Sequence, residues 1–165
     1  MRAPYRKPGI YSQMKPDNFL TAEKLVELEK KLERLKLSQP FARSEVSRLA
    51  ELGDFSENTE YQMAKWKLRG INGGILALQK QIDNAIIIEN NTASDQVRLG
   101  STVTVEFDNK IKTYQILGAS ETDPKKGVIS HLSPLGQALL NKKIGEEFTV
   151  TLANKQIKYK ILEIK

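Results

Sequence analysis

The sequence predicts an α+β protein in which an antiparallel helical hairpin, a coiled coil, is followed by a small β-sheet domain with a short helix. Apolar residues between 19 and 89 recur at alternating steps of three and four, which is the spacing of helices that pack as a coiled coil. From residue 101 the apolar period becomes two, which is typical of strands. We therefore predict a hairpin over 19–89, a linker over 90–100 and a sheet domain over 101–165.

Each predicted helix of the hairpin carries one apolar stripe. The connection between the helices is short, so they must be antiparallel neighbours that bury each other's stripes. At a rise of roughly 1.5 Å per residue, each arm of about 30 residues would be about 45 Å long. The stripe of the first helix consists of Leu25, Leu28, Leu32, Leu35, Gln39, Ala42, Val46 and Leu49. The stripe of the second consists of Tyr61, Ala64, Leu68, Ile71, Ile75, Leu78, Ile82 and Ala85.

Local signals place the start, the middle and the end of the first helix. Thr21 is predicted to cap it, because its hydroxyl can accept a hydrogen bond from the first turn. Pro40 has no amide hydrogen to donate, so a kink or a short break is expected near residues 37–40. Gly53 is predicted to end the helix in a left-handed conformation.

The second helix is predicted over about residues 56–88. It contains Gly70, Gly73 and Gly74, each of which costs up to about 1 kcal/mol relative to alanine in a helix interior. Because the apolar spacing continues through the glycines, we interpret them as places where the backbones of the two helices approach closely rather than as a hinge.

The sheet domain is predicted from alternating apolar runs that are separated by turn signals. A short helix is expected where Ser133 and Pro134 precede residues 135–140, because proline is favoured in the first turn of a helix. Turns are expected at 108–109, 123–127 and 153–154. The apolar residues of the runs are Val103, Val105 and Phe107, then Tyr114 and Ile116, then Phe148, Val150 and Leu152, and finally Ile157, Tyr159, Ile161 and Ile164.

The composition excludes several kinds of chemistry. The 165 residues include no cysteine and one histidine, which rules out a disulfide framework, a thiolate zinc site, a cysteine nucleophile and a histidine metal cluster. His131 has no partner motif and is interpreted as structural. No apolar run is long enough to span a membrane, and the N-terminal residues lack the apolar core of a signal peptide, so a cytoplasmic location is expected.

The net charge of +6 lies outside the predicted hairpin, in which acidic and basic residues balance. Residues 1–18 combine prolines with several cations and are predicted to form a flexible basic arm. This charge is compatible with a partner rich in phosphate or acidic side chains, although a solvated basic surface is the favoured explanation on charge alone.

The turn between the two helices carries two carboxylates three residues apart, Asp54 and Glu57. They could form a capping box, in which the aspartate caps the second helix and the glutamate reaches back. Ser56 offers a competing cap, which would leave both carboxylates at the apex of a long rod and available to a hard cation such as Mg²⁺. Two carboxylates on an exposed tip lack the further ligands and the closed cavity that metal catalysis needs. The sequence therefore indicates a rigid arm whose tip is inserted into a site of another macromolecule.

The same turn, Gly-Asp-Phe-Ser-Glu-Asn-Thr-Glu-Tyr at 53–61, closely resembles the Gly-Asp-Leu-x-Glu-Asn-Ala-Glu-Tyr signature of the Gre-type bacterial transcript cleavage factors. The resemblance covers about residues 18–165. It implies an N-terminal coiled coil followed by a domain similar to the FKBP fold, in agreement with the α+β prediction. Further matching segments are 23–25, Pro40, 129–130, 133–136 and 138–140.

The resemblance implies a function inside RNA polymerase. The C-terminal domain would dock at the rim of the polymerase secondary channel, and the coiled coil would reach down to the active centre. Asp54 and Glu57 would act there as catalytic carboxylates that help to hold a second Mg²⁺ shared with the polymerase, while the factor alone would bind no cofactor. It would thereby stimulate the polymerase's own cleavage of backtracked transcripts and rescue arrested complexes. The expected partners are RNA polymerase and the 3′ end of the backtracked RNA, and the factor is expected to be monomeric.

Several cations of the hairpin could guide the extruded RNA through its phosphates, with solvated helix cations as the alternative for each. They are Lys65, Lys67, Arg69 and Arg48. Two positions that are usually basic in the family are Ala50 and Gly74 here, which implies a reduced basic patch.

A short segment of the sheet domain is expected from the resemblance to contact the polymerase. The alternative is that it only starts a helix beside the sheet, and some of its side chains are expected to pack inside. The segment consists of Ser133, Pro134, Leu135 and Gly136.

Two further functions are alternatives. An inhibitory paralogue would share the fold and the docking but would block the channel without promoting cleavage, and the presence of Asp54 and Glu57 argues against it. A peptidyl-prolyl isomerase would rest on the FKBP-like resemblance alone, and it explains neither the long hairpin nor the acidic turn.

Overall fold

The computed structural model of the chain describes residues 17–52, 59–89, 95–152 and 155–165. These residues form a long helical hairpin and a five-stranded sheet with a short helix, which confirms the predicted α+β class. In chain order the elements are β1 (Phe19–Leu20), α1 (Ala22–Glu51), α2 (Thr59–Asp83), β2 (Ile86–Ile87), β3 (Thr102–Phe107), β4 (Lys110–Leu117), β5 (Val128–Ser130), α3 (Pro134–Leu139), β6 (Glu147–Leu152) and β7 (Lys155–Ile164).

Helix α1 begins and packs as its sequence predicts. The hydroxyl oxygen of Thr21 accepts a hydrogen bond from the backbone amide of Lys24 at 3.2 Å, which caps the first turn. Leu20, just before the cap, is buried and belongs to the same apolar cluster as Leu28, Leu32 and Leu78. Every member of both predicted stripes is buried or half-buried, so the coiled-coil spacing is confirmed. Within the described part of the chain, no helix combines the length and the apolar character needed to cross a membrane.

Pro40 lies inside an uninterrupted α1, so of the predicted kink or short break near residues 37–40 the break does not occur, and the kink stays a prediction. Proline removes one amide donor, but its fixed φ is compatible with a helix. Leu32 is buried before the proline and Ala42 after it, and this packing against α2 stabilises the helix on both sides. The cap predicted at Gly53 lies outside the described residues.

Helix α2 ends at Asp83, so the prediction that it continues to about residue 88 is wrong. The backbone amide and the side-chain amide of Asn84 both donate to the carbonyl of Lys80, and the amide of Ala85 then donates to Ile82, three residues back, where the α-helical pattern ends. The residues of β2 are then extended and pair in parallel with β1. A short two-stranded sheet therefore joins the two ends of the hairpin at its base.

The glycines of α2 do not share one explanation. A β-carbon at Gly74 would lie 2.9 Å from a methyl carbon of Leu35, so Gly74 makes room for a side chain of α1 and not for its backbone as predicted. A β-carbon at Gly70 or Gly73 would meet nothing within 4 Å. Close approach of the helices is therefore the wrong explanation for these two positions.

Gly70→Ala and Gly73→Ala are each expected to stabilise the hairpin by up to about 1 kcal/mol, because both positions are helical and exposed. The measurement is the free energy of unfolding in urea. Gly74→Ala is the matched control, since its new methyl group would press on Leu35 and reduce or cancel the gain. Equal stabilisation by all three substitutions would contradict the packing described for Gly74.

Within the described residues, the five strands of the main sheet follow the order β5-β4-β3-β7-β6. Neighbouring strands are antiparallel except for β4 and β5, which are parallel. Asp108 and Asn109, with φ angles of 47° and 58°, form the predicted tight turn between β3 and β4. Strand β5 was not predicted, because a strand of three residues is too short to show alternation. The turn predicted at 153–154 lies outside the described residues.

Helix α3 confirms the predicted short helix and packs on the sheet through Leu135 and Leu139, which are both buried in its core. Val97 is also fully buried in this core, and Leu99 packs against it. The core of the sheet domain therefore includes side chains from within the predicted linker 90–100.

Candidate functional site

Asp54 and Glu57, the predicted catalytic carboxylates, lie within residues 53–58, which are outside the described residues. The structure describes the helices on both sides of them. Helix α1 has 30 residues, so its far end lies about 45 Å from the base of the hairpin at roughly 1.5 Å per residue. Leu49, in the last turn of α1, is buried, so the apolar packing continues almost to this end. The acidic motif therefore belongs to the connection at the far end of a long, packed arm.

The described residues alone do not form a metal centre. Among them, no group of three or more histidine, aspartate or glutamate side chains could hold a metal ion. The donor chemistry of Asp54 and Glu57 fits a hard cation, because Mg²⁺ prefers carboxylate oxygens and water. Two carboxylates leave most coordination positions to water, so a metal ion held firmly at this end would need ligands from a partner.

Arg48, a predicted RNA contact, forms an ion pair on the surface of α1. Its guanidinium donates to both carboxylate oxygens of Glu45, at 3.0 and 2.8 Å. The hydrogen bond from Arg48 lowers the pKa of the Glu45 carboxyl, and Glu45 in turn raises the pKa of the Arg48 guanidinium. The charge of Lys67, on α2, also lowers the pKa of Glu45. Arg48 is therefore paired with a carboxylate that partly compensates its charge, and Lys67 acts on the same carboxylate through its charge alone.

Lys65 and Arg69 form a second group on α2. They are four residues apart and exposed, so they share one face of the helix. The ammonium of Lys65 lies 5.1 Å from the centre of the Tyr61 ring, which is within the range of a cation–π contact. The predicted RNA contacts are thus divided between two groups rather than gathered in one patch.

Two exposed aromatic side chains on the described part of the hairpin are not among the functional residues that the sequence predicts. Trp66, on α2, is 79% exposed, and Phe41, on α1, is 77% exposed. Neither lies at a position that packs the two helices together, and this is the signal that could have identified them. Large apolar side chains that a fold leaves exposed are candidates for contact with a partner.

The segment predicted to dock on the polymerase divides into buried and exposed residues. Ser133 caps α3, because its hydroxyl accepts from the Gly136 amide at 3.0 Å and donates to a carbonyl of β5 at 2.7 Å. Leu135 and Gly136 are buried, whereas Pro134 is exposed. Leu132, which the sequence analysis did not identify, is 52% exposed beside them. Leu132 and Pro134 therefore provide most of the exposed surface through which this segment could contact a partner.

His131 has a structural role, as its sequence context predicts. Its ring packs edge-on against Phe19, with 5.5 Å between the ring centres, and its Nδ1 lies 3.4 Å from the carbonyl oxygen of Leu117. Because Phe19 belongs to β1, this contact joins the base of the hairpin to the sheet domain. The sequence did not predict that the two parts meet here.

Comparison with known protein families covers both parts of the chain. Residues 18–87 match the family described as transcription elongation factor, N-terminal, and residues 91–165 match the family described as transcription elongation factor, GreA/GreB, C-term. The boundary between the matches falls between the hairpin and the sheet domain. The chain therefore belongs to the GreA/GreB family of transcription elongation factors, as the resemblance of its acidic turn implies.

Individual relatives are similar over most of their length. Transcription elongation factor GreA of Acetivibrio thermocellus is 40% identical over 151 residues, which covers 88% of this chain and 94% of that protein. Transcription elongation factor GreA of Bacillus subtilis is 40% identical over 148 residues, with the same shares covered. Among solved structures, GreA factor homolog 1 of Thermus thermophilus is 23% identical with a TM-score of 0.42, and the match covers 90% of this chain and 99% of that chain.

Proposed function

We propose that this protein enters the secondary channel of RNA polymerase and stimulates the polymerase's own cleavage of backtracked RNA. The observation that supports the proposal is the length and continuity of the hairpin. Helix α1 is continuous over 30 residues, and the acidic motif lies in the connection at its far end. Such an arm is suited to bring two carboxylates to a site deep inside a partner while the sheet domain remains outside.

The proposed chemistry depends on a partner, because Asp54 and Glu57 are too few to complete a metal site. A Mg²⁺ ion shared between the tip and the polymerase would act as a second metal ion. It would stabilise the attacking and leaving oxygens of RNA hydrolysis. The task of this chain is to present its two carboxylates at a fixed place and to hold them there. The protein by itself is therefore not a nuclease.

Other contacts of the proposed complex follow from exposure and charge. Lys65 and Arg69 are better placed than Arg48 to bind phosphates of the extruded RNA, since the guanidinium of Arg48 is paired with Glu45. The exposed start of α3 would contribute to docking at the rim of the channel. The protein is expected to act as a monomer in this complex.

The alternative functions explain less of the molecule. An inhibitory channel-binding protein needs the arm but not the two carboxylates in its connection. A peptidyl-prolyl isomerase would need only the sheet domain and would leave the long hairpin without a role. Neither accounts for the hairpin and the acidic turn together.

The proposal is tested on a stalled, backtracked RNA polymerase complex with a labelled transcript in the presence of Mg²⁺. The purified protein is expected to accelerate cleavage of the transcript and to leave free RNA intact when polymerase is omitted. Slower elongation without cleavage would favour the inhibitory function. Isomerisation of a proline-containing peptide would favour the isomerase.

A further inference from the structure

A network of hydrogen bonds joins the base of the hairpin to the sheet domain. Glu121, at the end of the short 3₁₀ helix Ala119–Glu121, accepts from the backbone amide of Thr21 at 2.6 Å and from its hydroxyl at 2.7 Å. Asp17 accepts from the first amide of the same 3₁₀ helix at 2.5 Å and from the amide of Phe19 at 3.1 Å. Each part of the chain therefore contributes one carboxylate that binds the backbone of the other. We call this network, made by Asp17, Thr21 and Glu121, the joint.

Glu121 binds the hairpin at the residue where α1 begins. The hydroxyl of Thr21 donates to Glu121 while its oxygen accepts from the Lys24 amide and caps the helix. Hydrogen bonds to an ionised carboxylate are stronger than those between neutral groups, and a negative charge near a helix N-terminus is favourable. A side chain of the sheet domain therefore takes part in starting α1 and constrains its direction.

Asp17 provides the second carboxylate of the joint. Although it falls within the predicted arm 1–18, its side chain is 7% exposed, and its Oδ2 lies 3.5 Å from Nδ1 of His131. Gly118 lies so close to the carbonyl of Phe19 that a β-carbon would collide with it. The joint is therefore closely packed at the point where β1 and β2 hold the two ends of the hairpin together.

We propose that Asp17 and Glu121 are positioning residues that fix the angle between the hairpin and the sheet domain. Docking of the sheet domain then also determines where the tip of the hairpin lies. This inference rests on the proposed function. A rotation of about 10° at the base of an arm about 45 Å long displaces its tip by about 8 Å. Because catalytic groups must be placed to within about 1 Å, a loose joint would lower cleavage even when docking and both carboxylates are intact.

The angle can be measured directly, because the chain contains no cysteine. Spin labels on Glu33→Cys in α1 and Lys160→Cys in β7, both exposed positions, report the distance between the hairpin and the sheet domain. The parent is expected to show one narrow distance distribution. Asp17→Ala combined with Glu121→Ala is expected to broaden it, and Glu121→Gln, which keeps one acceptor oxygen, is expected to have a smaller effect. Circular dichroism checks that each variant is folded.

The same variants, without the labels, are then compared in transcript cleavage and in polymerase affinity. The double alanine variant is expected to lose about tenfold in the cleavage rate at saturating factor, with little change in affinity, because its docking surface is unaltered. Glu163→Ala is the matched control, since Glu163 is an exposed carboxylate of the sheet domain that pairs with Lys165 and makes no contact in the joint. It is expected to match the parent in every measurement.

The outcomes separate this inference from the proposed function. A distance distribution that stays narrow in the double variant overturns the role of the joint, whatever the cleavage rate. A broadened distribution with unchanged cleavage at saturation shows that the angle is not important for function and also overturns it. If the parent does not stimulate cleavage at all, the proposed function fails, while the distance measurement on the isolated protein still decides whether the joint fixes the angle.

Discussion

Asp54→Asn and Glu57→Gln are expected to abolish most of the stimulation of transcript cleavage while leaving polymerase binding nearly unchanged. Both substitutions keep the size of the side chain and much of its hydrogen-bonding capacity, but they remove the charge that a shared Mg²⁺ requires. A loss of about 10- to 100-fold or more in the cleavage rate is expected for each. The measurements are cleavage by a backtracked complex and competition with the parent for the polymerase.

The capping-box alternative predicts a different pattern for these variants. If Asp54 and Glu57 only cap α2, the substitutions would lower the free energy of unfolding by about 1 kcal/mol, and activity would fall only as folding does. Melting curves recorded beside the cleavage assays distinguish the two cases. Glu51→Gln is the matched control, because Glu51 is an exposed carboxylate at the end of α1 and lies outside the acidic motif. If both variants stimulate cleavage as well as the parent, the metal role of the acidic turn is wrong.

The parts of the fold that the sequence predicts best are those set by local spacing. Both stripes of the hairpin are buried or half-buried at every predicted position, and Thr21 caps α1 as its position indicates. The errors arise where tertiary packing competes with local preference. Pro40 does not interrupt α1, because apolar contacts stabilise the helix before and after it. Helix α2 ends early, because the extended residues that follow it can pair with β1.

The residues of the candidate site can likewise be predicted only where they are close together in the sequence. The acidic turn could be recognised because its residues are consecutive, whereas the joint could not, since Thr21 and Glu121 are 100 positions apart in the sequence. No periodicity or motif connects residues at such a distance. The docking segment was recognised as a stretch of sequence, but only the structure shows that Leu135 and Gly136 point into the fold while Pro134 remains exposed.

Gly136→Ala is expected to destabilise the sheet domain by about 3 kcal/mol, although the resemblance suggests Gly136 as a contact with polymerase. Gly136 is buried in α3, and a β-carbon there would collide with the carbonyl of Ser130 and lie 3.0 Å from the α-carbon of His131. The atoms in the way belong to the backbone, so they cannot move aside as a flexible side chain would. The measurement is the free energy of unfolding in urea.

Two comparisons separate this packing effect from a contact with the partner. Gly145→Ala should cost only about 1 kcal/mol, because Gly145 has a φ of 83° but open space around its α-carbon. Pro134→Ala should leave the unfolding free energy within about 0.5 kcal/mol of the parent, because Pro134 is exposed, and should lower polymerase affinity if the start of α3 docks on the rim. A Gly136→Ala variant that is as stable as the parent but binds polymerase poorly would show that Gly136 acts as a contact, and the packing argument would then be wrong.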